Sequence, residues 1–114
     1  ISIDQSTQST KAILFDEKGN IIKRIDKKHS QLVNEMGHVS HNPMEIYHNT
    51  IQAVTELIRV TCIDKTLIRA LGISNQRETT VMWDEKGNPY SDAVVCTVDR
   101  HHSVGVSNRN MVRT

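Results

Sequence analysis

The first residues that could carry chemistry form a hydroxyl-rich stretch near the start of the chain. Asp4 ends a short apolar–polar alternation, small polar side chains follow, and Lys11 closes the stretch. Backbone N–H groups and hydroxyls can cradle phosphate oxygens, an ammonium group can offset their charge, and a carboxylate can hold Mg²⁺ or its waters. The same residue types also fill ordinary polar turns, which are more common. The stretch therefore predicts either a plain hairpin turn or a phosphate site.

A second candidate site follows an apolar run later in the chain. Arg77 and Glu78 are adjacent and come soon after the apolar residues 67–73. Arginine offers a rigid fork of N–H donors and glutamate offers only acceptors, so the pair can bind both the lone pairs and the O–H groups of neighbouring hydroxyls. A polyol presents such groups. The alternative is a surface or structural ion pair, which is the commoner arrangement.

The histidines and cysteines give weaker indications. His38 and His41 have a spacing that suits metal ligands, but no third ligand stands at a helical or hairpin spacing, so we expect no metal site there. Cys62 and Cys96 are too few and too far apart for a disulfide framework or a Cys-x-x-Cys metal site. We expect free thiols in a reducing compartment.

Local patterns predict strands on both sides of the hydroxyl-rich stretch. Ile1 and Ile3 alternate with polar neighbours, and residues 12–15 form an apolar run short enough for a buried strand. The sequence Asp-Glu-Lys-Gly-Asn at residues 16–20 predicts a tight turn, and residues 21–25 predict the return strand. The hydroxyl-rich stretch therefore lies between two strands of a predicted hairpin.

One amphipathic helix is predicted in the middle of the chain. Asn42 is a good N-cap, Pro43 suits the first helical position, and Glu45 complements the positive end of the helix dipole. Apolar residues then recur at spacings of three and four, so we expect a helix over residues 43–61. These apolar positions are Tyr47, Ile51, Val54, Ile58 and Cys62.

The region after the helix predicts further strands. Residues 67–73 indicate a mostly buried strand, and Asp-Glu-Lys-Gly-Asn recurs at residues 84–88 to predict a second hairpin. The repeated pentapeptide leaves an internal duplication open as an alternative, although generic turn chemistry accounts for it. The expected order is β-β-β-α-β-β-β, an α/β arrangement in which a crossover helix links strands of one mixed sheet. Residues 101–114 show no periodicity and are expected to be irregular.

Length and charge narrow the classes of function. The 114 residues carry 14 Lys or Arg against 13 Asp or Glu, which gives a formal net charge of +1. This length allows one domain at most, and a near-neutral charge argues against binding of nucleic acid or a membrane surface. The sequence has neither a membrane-spanning apolar run nor the features of a signal peptide, so we expect a cytoplasmic protein. Because the chain starts in mid-alternation without Met, we also expect a fragment.

Three ordered motifs resemble the FGGY family of carbohydrate kinases, and within it the glycerol kinases. Residues 3–12 are similar to the N-terminal phosphate loop of the family, and residues 37–46 resemble the segment that enters its first helix. The most specific match is residues 72–80, followed by Trp83, which are similar to a polyol-binding motif. The resemblance extends over residues 1–100, which would be the N-terminal portion of the first kinase domain.

The resemblance implies an actin-like, ribonuclease H-like ATPase fold and ATP-dependent phosphorylation of glycerol or a related polyol or sugar. It implies that Asp4 lies near Mg²⁺ and that Arg77 and Glu78 bind substrate hydroxyls. The general base of the family is an Asp beyond Thr114, so the fragment alone is expected to be inactive. The side chains that it assigns to the ATP phosphates are Ser6, Thr7, Gln8, Ser9 and Lys11.

The match departs from the glycerol kinase pattern in the region of the acceptor. A Trp that packs against the carbon backbone of glycerol is expected after residues 93–95, and Cys96 stands in its place. A pentulose or sugar-acid kinase of the same family therefore remains an alternative. From another class, a non-catalytic actin-like nucleotide-binding module also remains. A small-molecule substrate is implied, and whether the whole protein is a homo-oligomer stays open.

Overall fold

The computed structural model describes residues 1–35, 37, 39–77, 79–95 and 111–113. Within those residues the chain forms one α-helix, one 3₁₀ turn and nine strands, which confirms the predicted α/β class. In chain order they are β1 (Ser2–Gln5), β2 (Ser9–Phe15), β3 (Ile21–Lys28), β4 (Leu32–Val33), β5 (Val39–His41), α1 (Pro43–Thr61), the 3₁₀ turn (Lys65–Leu67), β6 (Gly72–Ser74), β7 (Thr79–Met82), β8 (Ala93–Val95) and β9 (Met111–Arg113).

The first sheet is mixed and has the strand order β3-β2-β1-β6. Strands β1, β2 and β3 pair antiparallel, as expected for consecutive hairpins. Strand β6 pairs parallel to β1, with Asp4 opposite Ser74. A parallel neighbour requires a crossover connection, and α1 lies in that connection, as the predicted crossover helix requires.

Helix α1 begins and ends where the sequence predicts. The Asn42 side chain accepts a hydrogen bond of 3.0 Å from the backbone N–H of Met44, and Pro43 occupies the first turn. The helix ends at Cys62, whose φ of 52° is left-handed and stops the helical hydrogen bonding. Cys62 is an exposed free thiol, as expected.

The core lies between α1 and the first sheet. Ala12 and Leu14 of β2 pack with Ala53 and Leu57 of α1, and all four are buried. The predicted apolar stripe is wrong in part, because Tyr47 and Ile51 are half exposed while Ala53 and Leu57 face the sheet. Spacing alone could not distinguish these two overlapping faces of the helix.

A second, antiparallel sheet has the order β4-β5-β8-β7-β9, so the expectation of one sheet is wrong. The short strands β4 and β5 precede α1 in a region without a strand-like alternation. They pair with each other, and β5 pairs with β8 rather than with the first sheet. Strands of two or three residues leave too few positions for a period of two to register.

The repeated pentapeptide forms the same turn twice. Asp16 N donates to Asn20 O and Asp84 N donates to Asn88 O, each at 2.9 Å. In each copy the aspartate Oδ1 also accepts from the backbone N–H groups of the lysine and asparagine. The asparagine side chain also donates to Oδ2 of the aspartate in each copy. Hydrogen bonds lower the pKa of both carboxyl groups below the usual value, chiefly the bond from the Asn20 side chain at Asp16 and the bond from the Asn88 backbone at Asp84. The two predicted hairpin turns are confirmed.

The predicted buried strand over residues 67–73 is wrong. Residues Lys65–Leu67 form a 3₁₀ turn capped by Asp64, and the strand β6 covers only Gly72–Ser74. Ile73 is 63% exposed. Strand β6 is the edge of the first sheet, whereas α1 packs chiefly over β2 and β3, so the helix does not cover it.

Part of the C-terminal segment is ordered by pairing rather than by side-chain pattern. The expectation of irregular structure over residues 101–114 fails for Met111–Arg113, which pair with β7 as β9. Backbone hydrogen bonds to a neighbouring strand need no side-chain periodicity. The remaining residues of that segment, and Cys96, lie outside the described residues.

Along the described part of the chain, no helix has the length and apolar character to cross a membrane.

Candidate functional site

The two predicted sites follow two neighbouring parallel strands of the first sheet, β1 and β6. Because β1 and β6 are parallel, the segments that follow them leave the sheet on the same side, at the carboxyl ends of the two strands. After β1 comes the hydroxyl turn, residues 6–9, and after β6 comes the arginine segment, residues 75–77. In open α/β sheets, ligands usually bind at the carboxyl ends of the strands.

The hydroxyl turn is closed by its own first residue. The Ser6 backbone N–H and the Ser6 hydroxyl both donate to Ser9 O at 2.9 Å, and Ser9 N donates back to Ser6 Oγ at 3.3 Å. Ser6 therefore shapes the turn. Thr7 and Gln8 are exposed at its tip, where an incoming ligand would first meet the turn.

Lys11 contacts Asp4 across the β1–β2 hairpin. The Lys11 Nζ to Asp4 Oδ2 distance is 3.5 Å, and the two side chains are 28% and 44% exposed. An ion pair this open to solvent contributes about 0–1 kcal/mol, so either partner can exchange to a ligand. The structure thus brings the predicted metal-binding and phosphate-binding charges together, already partnered with each other.

The Asp4–Lys11 pair continues into a charge ladder on the same sheet. Asp26 lies opposite Lys11 in the β2–β3 register, and Arg24 donates to Asp26 through Nε at 2.9 Å and Nη2 at 2.8 Å. The pKa of Asp26 is lowered, chiefly by the Arg24 hydrogen bond. The alternation of charges keeps this face near neutrality.

His29 holds the hydroxyl turn and the start of β2 through hydrogen bonds. Its backbone N–H donates to Gln8 O at 2.8 Å, and its Nε2 lies 3.0 Å from Thr10 Oγ1. Asn49 Nδ2 lies 3.0 Å from Lys28 O and 2.9 Å from His29 Nδ1. Since the amide nitrogen donates to both, Nδ1 accepts and Nε2 carries the hydrogen of a neutral imidazole. Burial lowers the pKa of His29, and nearby His41 lowers it further.

His41 belongs to the second sheet and is almost fully buried. Its ring centroid lies 6.2 Å from that of His29. Neither ring nitrogen of His41 has a hydrogen-bond partner among the described residues. A proton on His29 would therefore be placed close to a second buried imidazole, which favours the neutral form of His29.

A cavity of about 420 Å³ lies between the start of α1 and the second sheet. Its polar lining includes the amides of Gln5 and Gln76, and its apolar walls include Met44, Tyr47, Val81 and Trp83. Gln5 Nε2 donates to Thr50 Oγ1 at 2.7 Å, and Thr50 Oγ1 donates to Ile46 O at 2.9 Å. This relay ties the end of β1 to the helix.

In the arginine segment, an exposed residue follows a buried one. Gln76 is 7% exposed and accepts a hydrogen bond of 3.0 Å at Oε1 from the hydroxyl of Thr79, which is 1% exposed. Arg77 is exposed and is not part of the cavity lining. Glu78, the other predicted substrate ligand, lies outside the described residues. The pairing of Arg77 with Glu78 thus stays a prediction.

Gln5, Gln76 and Thr79 are the site residues whose roles the sequence did not reveal. Gln5 is the last residue of β1 and Gln76 comes two residues after β6, and that position at the carboxyl ends of two parallel strands was the available signal. Their inward orientation depends on Thr50 and Thr79, which are distant or downstream. Local patterns carry no information about such partners.

The predicted magnesium position fits a metal held mainly by its substrate. Within the described ranges, no group of three or more His, Cys, Asp or Glu side chains is close enough to form a metal centre. Asp4 is partly exposed beside the hydroxyl turn. Because Mg²⁺ is usually held by one or two carboxylates, waters and substrate phosphates, a single carboxylate here suits it.

Comparison with known proteins gives consistent matches. The family model for the N-terminal domain of FGGY carbohydrate kinases matches residues 1–109. Glycerol kinase 1 of Thermotoga maritima is 46% identical over 105 residues, which are 91% of this chain and 21% of that protein. A glycerol kinase of Xylella fastidiosa is 45% identical over 96 residues, 83% of this chain and 19% of that protein. The chain thus spans about a fifth of the length of these relatives.

Solved structures match in the same region. The crystal structure of Plasmodium falciparum glycerol kinase with ADP has a TM-score of 0.76 and 40% identity, covering 82% of this chain and 19% of that one. Gluconate kinase from Lactobacillus acidophilus has a TM-score of 0.72 at 20% identity, covering 81% of this chain and 18% of that one. The second likeness concerns the fold alone. Together they confirm the predicted actin-like ATPase fold of sugar kinases.

Proposed function

Because this chain belongs to the FGGY family of carbohydrate kinases, we propose that it is part of a longer enzyme that transfers the γ-phosphoryl group of ATP to a hydroxyl of glycerol or a related polyol or sugar. The observation that supports this proposal is the parallel pairing of β1 with β6, because the hydroxyl turn and the arginine segment follow these two neighbouring strands. Phosphoryl transfer needs the donor phosphates and the acceptor hydroxyl side by side, and catalysis then rests mainly on positioning and charge stabilisation.

We assign the donor phosphates to the hydroxyl turn. Thr7 and Gln8 are exposed at its tip, and Ser6 holds the turn in shape through its bonds to Ser9. Lys11 lies on the adjoining strand and is free to leave a weak surface pair with Asp4. Bound Mg²⁺ would neutralise part of the phosphate charge, and Asp4 is the carboxylate that would hold it.

We assign the acceptor hydroxyls to Arg77 and Glu78. An exposed guanidinium at the end of a parallel strand can donate to two neighbouring oxygens at once. We propose that the general base is an Asp outside residues 1–114, since the residues matched here are only 21% of the length of a glycerol kinase relative. The 114-residue chain alone is then expected to show no turnover. Because ATP is the proposed donor, we place the reaction in the cytoplasm.

The test uses the full-length protein that contains this chain. ATP consumption is measured with glycerol, erythritol, xylulose and gluconate as acceptors. Arg77→Ala is expected to raise the acceptor KM about 10- to 100-fold, because a charged hydrogen-bond donor to the substrate is lost. Arg69→Ala, at another exposed arginine, is the matched control and should leave that KM unchanged.

The same assay separates the alternatives. Preference for xylulose or gluconate over glycerol identifies a pentulose or sugar-acid kinase, which share this fold. A nucleotide-binding module without an acceptor site would bind ATP equally well before and after Arg77→Ala and show no dependence on any acceptor. Failure of the full-length protein to consume ATP with all four acceptors would contradict the proposed function.

A further inference from the structure

A buried hydrogen bond joins Gln76, the residue before Arg77, to Thr79. Gln76 and Thr79 flank the turn and are 7% and 1% exposed, whereas Arg77 between them is exposed. The Thr79 hydroxyl donates to Gln76 Oε1 at 3.0 Å. The described residues make no hydrogen bond or ion pair with the Arg77 side chain, so the backbone at Arg77 determines where the guanidinium starts.

We propose that Gln76 and Thr79 form a polar clamp that positions Arg77 for the acceptor, an inference that rests on the proposed kinase function. Thr79 is the first residue of β7 and pairs with Val95, which fixes its backbone in the second sheet. Gln76 lies two residues after β6 of the first sheet and also lines the cavity. The clamp therefore joins the segment that follows β6 to the first residue of β7, and Arg77 lies between its two members in the sequence.

The chemistry of the clamp suits its place beside a substrate-binding arginine. The turns at Asp16 and Asp84 are closed at the surface by carboxylates. A carboxylate in the place of Gln76 would compete with acceptor hydroxyls for the guanidinium of Arg77. A neutral amide paired with a hydroxyl fixes the turn without such competition, and its burial strengthens the bond.

A contact that holds a substrate-binding residue in place affects the reaction through the position of that residue. A displacement of about 1 Å at a positioning residue can cost about a hundredfold in rate. Gln76 and Thr79 are positioning residues in this sense, because they touch Arg77's turn rather than the acceptor. Loss of the clamp should therefore weaken acceptor binding selectively and leave the hydroxyl turn, on another strand, unaffected.

The test is made in the full-length protein with three single variants. Thr79→Val keeps the side-chain shape but removes the donor, Thr79→Ser keeps the hydroxyl, and Thr80→Val is the control one residue along the same strand. We expect Thr79→Val to raise the acceptor KM about tenfold, as for loss of one buried hydrogen bond, and to leave the ATP KM unchanged. Thr79→Ser should restore the acceptor KM to within about twofold, and Thr80→Val should match the wild type.

A double-mutant cycle guards against simple destabilisation. Gln76→Met removes the acceptor side of the clamp, and combining it with Thr79→Val should raise the acceptor KM no further than either change alone, because both remove one interaction. The inference is overturned if Thr79→Val leaves the acceptor KM unchanged, raises both KM values equally, or adds fully to Gln76→Met. An inactive wild-type protein would instead refute the proposed function, and this inference with it.

Discussion

The turn at residues 16–20 connects β2 and β3 of the first sheet, and the turn at residues 84–88 lies between β7 and β8 of the second sheet. Both have the sequence Asp-Glu-Lys-Gly-Asn and the same hydrogen bonds, and their glycines have φ values of 82° and 84°. The strands around them differ. Strand β2 pairs with β3 along its whole length, from Ser9 to Phe15, whereas the pairing of β7 with β8 among the described residues is limited to Thr79 and Thr80.

The difference follows from what covers each sheet. Helix α1 buries Ala12 and Leu14 of β2 against Ala53 and Leu57, so the long pairing is supported by apolar packing. In the second sheet, Ala93 is the fully buried apolar residue among those described, and the other buried positions include the polar His41 and Thr79. A turn sequence thus sets local geometry, and the extent of the sheet depends on packing from elsewhere.

The largest effect is expected when a buried side chain of α1 that packs against the first sheet is truncated. Leu57→Ala should lower the free energy of unfolding by about 2–5 kcal/mol, because it leaves a cavity against β2. Ile51→Ala on the same helix is the control, since Ile51 is 51% exposed. Urea denaturation monitored by circular dichroism measures both. A loss for Leu57→Ala no larger than that for Ile51→Ala would show that helix packing does not support the first sheet.

A smaller effect tests whether the two turns are equivalent. Gly19→Ala and Gly87→Ala should each cost about 1–2 kcal/mol, because a Cβ is strained at left-handed φ although no neighbour lies within 4 Å of its position. Gly72→Ala is the control, with equally open space and no positive φ. Thermal unfolding of the three variants measures the costs. Clearly unequal costs at Gly19 and Gly87 would show that the surrounding sheet alters the turn.

The smallest expected effect concerns the junction of the two sheets at His29 and His41. The pKa of His29 is lowered in the folded chain, so the unfolded chain binds the proton more tightly. Stability should therefore be complete above the ordinary value of 6.5 and fall as the pH decreases below it towards the folded-state pKa. His29→Gln should reduce this acid sensitivity, whereas His48→Gln, at an exposed site, should not. Urea titrations at pH 8, 6.5 and 5 compare them, and unchanged acid sensitivity in His29→Gln would exclude the junction as its source.

The features that the sequence predicted well are those encoded by neighbouring residues. The cap at Asn42 and Pro43 fixed the start of α1, and the two Asp-Glu-Lys-Gly-Asn turns followed from glycine and aspartate chemistry. The second sheet was missed because β4 and β5 are short and because β5 joins the sheet by pairing with the distant strand β8. Ile73 was expected to be buried because its apolar neighbours resemble a core strand, yet nothing in those residues shows how far α1 reaches.

The candidate site was predicted in its parts and not in its assembly. The hydroxyl-rich stretch and the Arg77 motif are recognisable from residue type. That they follow neighbouring strands depends on the parallel pairing of β1 with β6. The supporting contacts of His29 with Thr10 and of Gln76 with Thr79 depend on burial, which local composition does not report. Partners separated widely in sequence leave no periodic signal.

The parallel pairing of β1 with β6 also has a kinetic consequence. The hairpins of β1, β2 and β3 close over short loops, whereas β6 reaches β1 only after the chain has traversed α1. Closing a long connection costs more entropy and delays contacts between distant residues. We therefore expect the hydroxyl turn to form before β6 pairs with β1, so that the two segments of the candidate site become neighbours late in folding.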